Sequence, residues 1–131
     1  MIDDIIKVLP KLNAFRARNS VDFKTIKNAE SRLNLAFADE FSRYIESFGV
    51  ASCYGHEFTG ICKSSRLNVV DVTISERANN PDVPNDWYVI EQANIDGIVI
   101  WQNQKGEIFQ TQPYCDSIKI ANSIVEYITL I

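Results

Sequence analysis

Apolar residues along this chain switch between two spacings, a helical one at each end and an extended one in the middle. The extended stretch, WYVIEQANIDGIVIWQNQKGEIFQTQ from Trp87 to Gln112, is divided into three pieces by two turn signals. Asp96-Gly97 predicts a two-residue type I′ hairpin turn, which needs positive φ at both central positions. Gly106, after Lys105, marks a second and looser reversal. The pieces between are rich in Val, Ile, Tyr, Trp, Phe and Thr, residues that suit a pleated, half-buried surface. The stretch reads as an antiparallel meander.

Helical spacing precedes it. Ile2, Ile5, Ile6, Leu9 and Leu12 define a first helix within Met1–Ala17, interrupted by Pro10. A polar link through Arg16, Arg18, Asn19 and Ser20 leads to a second helix, capped by Ser20 or Asp22, whose stripe is Phe23, Ile26, Glu30 and Leu33 with Ala29 beside it. Glu30 at the stripe's edge is read as reaching solvent or a backbone amide. A third helix runs from Ala38 to Phe48, with Asp39 and Glu40 complementing the dipole in its first turn, and Phe41, Tyr44, Ile45 and Phe48 on one face. Burying both Phe side chains contributes about 3–6 kcal/mol before entropy costs. Gly49 ends this helix.

Gly55 and Gly60 punctuate one or two short strands near residues 52–61. Asn68 to Asn79 is ambiguous by itself. Its Val69, Val70, Val72 and Ile74 favour a strand, whereas Val70, Ile74 and Ala78 fit one helical face. Asn79 to Asp86 is a loop. After Pro113 the pattern predicts a final helix, capped by Asp116 or Ser117, with Ala121, Ile124, Ile128 and Ile131 as its stripe. No repeat or linker divides the chain, so residues 1–131 are expected to form one α+β domain, a mainly antiparallel sheet packed with N-terminal helices and a C-terminal helix.

The predicted hairpin turn sets the faces of the meander. Ile95 pairs with Ile98, Ala93 with Ile100 and Glu91 with Gln102 on one face, with Val89 and Trp87 further along, and Phe109 joins them if the second loop has two or four residues. This is the better core face, and packing it on the helices gives a two-layer sandwich. The reverse face carries Tyr88, Gln92, Asn94, Trp101 and Asn103, aromatics among amides with few charges, as in the centre of a protein interface. Two readings of it stand open: a helix or loop covers it and buries Trp101, or it is a partner surface anchored by Trp101 and Tyr88. Glu57, Asp71, Glu91 and Asp96 are further candidate contacts for a basic partner, or simply solvated charge.

Composition excludes more than it assigns. A formal net charge of −4 and a pI of about 4.9 argue against binding nucleic acid by bulk electrostatics. Cys53, Cys62 and Cys115 have no CxxC spacing and read as free thiols in a reducing cytoplasm. The start MIDDIIKVLP carries acids where a signal peptide needs bases, and no stretch approaches the roughly 18 apolar residues of a membrane span. His56 is the only histidine. Cys53-x-x-His56 offers two metal ligands without a second pair, and Gly55 and Gly60 do not form a nucleotide cradle. No catalytic, cofactor or metal residue is therefore assigned. A cleft holding His56 with Cys53 and a carboxylate would reopen the enzyme reading.

Several of these pieces together resemble the SUKH superfamily, which includes fungal cell-wall-assembly regulators and many bacterial immunity proteins. The matching residues are Ala29-Glu30-x-x-Leu33, then Leu35, Phe37, Asp39, Glu40, Phe41, Tyr44, Ile45, Phe48 and Gly49; Tyr54-Gly55-x-Glu57-Phe58-x-Gly60-Ile61; Trp87-Tyr88-Val89-Ile90 with Asp96-Gly97; and Ser123 to Ile128. Ala38 stands where many relatives have proline, and Gly49-Val50 where a glycine pair is common. The resemblance implies an α+β fold with residues 68–79 helical. It also implies a non-catalytic protein that binds a cognate toxin domain, often a nuclease, in the cytoplasm. An acidic surface suits such a basic partner.

Overall fold

The computed structural model describes residues 4–53 and 55–129. Ile2, Tyr54 and Ile131, which figure in the sequence pattern, lie outside them. The first helix, α1 (Ile5–Val8), is capped by the Asp4 carboxylate, and Pro10 stands in a 3-10 turn, Leu9–Lys11, that ends it. The polar link then holds a short strand, β1 (Arg16–Ala17), paired with β2 (Ala51–Cys53). Both of its side chains are exposed, so it has no apolar signature. Only its partner strand defines it.

Helix α2 (Phe23–Leu33) starts where Asp22 accepts from the Thr25 amide and ends at Asn34 in the left-handed region, φ +53°. Ile26, Ala29, Glu30 and Leu33 are buried as the stripe predicts, and the Glu30 carboxylate accepts from the Phe37 amide at 2.7 Å. Phe23 departs from the stripe: it is 70% exposed, with the Lys27 ammonium 5.2 Å from its ring centroid in place of a core neighbour. Helix α3 (Asp39–Phe48) buries Phe41, Tyr44 and Ile45, and Gly49 caps it at φ +69°. Gly60 passes so close to this cap that a Cβ there would lie 1.8 Å from the Gly49 carbonyl oxygen, which no side chain can satisfy.

Residues 69–79 form α4 (Val69–Asn79), not a strand, with the Asn68 side chain accepting from the Val70 amide. The valines are tolerated because the helix is embedded: Val69, Val70, Val72 and Thr73 are all buried. Thr73 Oγ1 also accepts from the Val89 amide at 3.0 Å, which satisfies a donor on the edge of the sheet.

The sheet is β4 (Tyr88–Gln92), β5 (Val99–Gln102), β6 (Ile108–Thr111) and β7 (Ile118–Ala121), antiparallel throughout. A smaller sheet of β1, β2 and β3 (His56–Glu57) joins it through a bridge from Phe58 to Glu91. Residues 118–121, expected to begin the last helix, are strand instead. That helix, α5 (Ile124–Thr129), starts later and is capped by Ser123, whose Oγ accepts from the Glu126 amide, and not by Asp116 or Ser117. The apolar run had hidden a change of period within it, and pairing with β6 decides where the change falls.

The Asp96-Gly97 turn forms as predicted, with Ile98 donating to the Ile95 carbonyl and both central residues at positive φ. The pairing beyond it differs. Asn94, also at positive φ, offsets the strands, so that Gln92 rather than Asn94 faces Val99. A β-bulge then sets Ile90 and Glu91 together against Ile100, after which Val89 faces Trp101 and Tyr88 faces Gln102. One extra residue exchanges the faces of everything beyond it. Trp87 and Val89 thus share a face with Trp101, whereas Tyr88 and Ile90 point to the other with Ile100 and Ile108.

Both faces are consequently closed. The helices α1, α2, α3 and α5 pack on Tyr88, Ile90, Ile100 and Ile108. On the reverse face Val72 of α4 packs with Trp87, Val89, Val99 and Trp101, and Val83 and Phe109 are half-buried against them. Trp87 stacks on Phe109 at 4.0 Å. The simple two-layer expectation fails because α4 and the loop behind it cover the second face.

Candidate functional site

The residues proposed as partner contacts do not form one open surface. Trp101 is 0% exposed and donates through Nε1 to Thr111 Oγ1 at 2.8 Å. Tyr88 is equally buried, accepting from the Ala38 amide at 2.9 Å and donating to Gln102 Oε1 at 2.8 Å. Asn103 is buried and organises the β5–β6 loop, its Oδ1 accepting from the Lys105 and Glu107 amides. Gln92 is half-buried and donates to Glu76. Asn94 and Asp96 are exposed in the β4–β5 loop, Asp71 is exposed on α4, and Glu57 is exposed but paired with Arg66 at 2.6 Å. That pairing holds the Glu57 carboxyl below its ordinary value. Of the two readings of this face, the partner surface is corrected and burial holds: α4 covers Trp101, the bulge turns Tyr88 into the helix-packed core, and Asn103 is buried in its loop.

Glu91, read as a possible surface acid, is the centre of a buried polar cluster. It faces α5 and the β2–β3 hairpin. Its carboxylate receives the Tyr127 hydroxyl, the Glu57 amide at 3.2 Å and His56 Nδ1 at 3.1 Å from each oxygen. The imidazole stacks on Phe58 with centroids 5.6 Å apart. A cleft of about 470 Å³ adjoins the cluster and is lined by Cys53 as well as by His56, Glu91 and Tyr127.

The structure therefore does bring a thiol, an imidazole and a carboxylate together. Their electrostatics oppose nucleophilic chemistry. Burial, with the negative charge of Glu91 behind it, pushes the Cys53 thiol above its ordinary value, whereas a nucleophilic cysteine needs its thiolate stabilised. Burial likewise pushes the Tyr127 hydroxyl up, so it serves as a donor. The hydrogen bonds of the imidazole go through Nδ1 to Glu91. Among the described residues, no group of three or more His, Cys, Asp or Glu is placed to hold a metal. The cluster works as a clasp between the two sheets and the last helix.

Alkylation tests this reading. With iodoacetamide under native conditions, exposed Cys115 is expected to react first and buried Cys53 last, read by mass spectrometry of the digested protein. Preferential labelling of Cys53 would restore the nucleophile reading.

A second acid was also misplaced by its local context. Glu40, in the first turn of α3, reaches across to α5, accepting from the Ile124 amide at 2.7 Å, the Val125 amide at 3.2 Å and Gln102 Nε2 at 3.0 Å. Sequence gave no signal for this, since an acid in a first turn is already explained by the helix dipole. Buried Glu91 and half-buried Glu40 are thus both engaged within the fold, and what the molecule offers a partner is its outer loops and helix faces.

The chain matches the family model of SMI1-KNR4 cell-wall proteins, SUKH_5, over residues 2–129. It belongs to that family, whose domains are in general non-catalytic. The α+β fold, with N-terminal helices, antiparallel sheets and a C-terminal helix, agrees with membership and is compatible with an immunity-type or SMI1-KNR4-type module. No curated protein matches the chain. Among the described residues no helix is long and apolar enough to cross a membrane.

Proposed function

We propose that this chain is a non-catalytic immunity protein that binds and neutralises a cognate bacterial toxin domain of the nuclease type, in the cytoplasm. The observation that carries the reading is the family match over nearly the whole chain. The inward-turned Glu91 and Glu40 clusters support it, because the ionisable groups that would otherwise suggest chemistry are occupied in holding the fold. A surplus of acids over bases, net −4, favours a basic partner and speeds its diffusional encounter. Inhibition then follows from occlusion: the bound domain covers the toxin's active surface or its path to nucleic acid.

The test is rescue. A candidate toxin domain is expressed alone and with the chain. Restored growth, with the two proteins co-purifying, is the expected result. Continued toxicity with no complex overturns it. The family's cell-wall description favours a second reading, a regulatory module that binds a cellular protein. A gene with no toxin-like neighbour, and a deletion that alters cell-wall integrity, would select that reading instead.

A further inference from the structure

We draw no further inference here: the strongest candidate, the groove along edge strand β1 lined by exposed Arg16 and Arg18, is a charged surface patch, and nothing in the structure shows what covers it.

Discussion

Trp101→Ala is expected to cost about 3–5 kcal/mol of folding stability, read as a lowered urea midpoint at unchanged slope. The residue is fully buried within the reverse-face cluster, and its ring packs with Trp87, Val89, Val99 and Val72. Truncation leaves a cavity that the strands cannot close, since β5 is hydrogen-bonded to strands on both sides. It also deprives buried Thr111 Oγ1 of its donor. Trp101→Phe keeps most of the apolar volume and is expected to cost less. A Trp101→Ala midpoint equal to that of the parent chain would show that the ring is not in the core. Lost toxin binding in this variant would report damage to the fold, so Trp101 is not a usable interface probe.

Glu40→Ala is expected to remove about 3 kcal/mol, because it leaves the first two amides of α5 without their acceptor and takes one of two acceptors from the buried Gln102 side chain. The carboxylate is the point at which three parts of the fold meet. From Ala38 a run of hydrogen bonds passes through the Tyr88 hydroxyl to Gln102, from Gln102 to Glu40, and from Glu40 to the first amides of α5. Equilibrium unfolding checks the loss; a change below about 1 kcal/mol would mean that water satisfies the start of α5 instead.

Glu40 also gives stability a pH dependence of definite sign. Burial holds its carboxyl above the ordinary value, outweighing the hydrogen bonds from Ile124, Val125 and Gln102 that act the other way. The folded chain therefore takes up a proton at this site more readily than the unfolded chain. The contribution is fully present below the ordinary glutamate value and is lost as pH rises through the raised folded one. Glu40→Gln abolishes that titration, so the parent's stability relative to Glu40→Gln is expected to be greatest in acid and to decline toward neutral pH. Glu57 behaves oppositely: Arg66 holds its carboxyl down, and its contribution is lost as pH falls. A difference between parent and Glu40→Gln that stayed flat across this range would remove the raised value.

The sequence by itself determined those features that depend on neighbours in the chain. The stripe of α2 from Ile26 to Leu33, the buried face of α3, its stop at Gly49 and the Asp96-Gly97 turn all rest on local conformational preference and periodicity, and all are present; the cap of α2 was narrowed to Ser20 or Asp22, and it is Asp22. The family could likewise be read from the order and spacing of core residues, because those are what a shared fold preserves. Helix α4 was legible only through that resemblance, since the propensity of its valines points the other way.

Only the tertiary structure decided which residues face one another. Strand β1 exists because β2 is there to pair with it, and β7 because β6 is. The bulge at Ile90 and Glu91 put Tyr88 on the face opposite Trp101, in the helix-packed core, α4 buried Trp101 on the other face, and long-range contacts engaged Glu91 in the His56–Tyr127 clasp. A strand's alternation is strict in sequence, but its phase is set by hydrogen-bond register, and one inserted residue reverses it without leaving a mark in composition. Long-range acceptors such as Glu40 are hidden for the same reason: its donors lie 62 to 85 residues away and meet it only after folding.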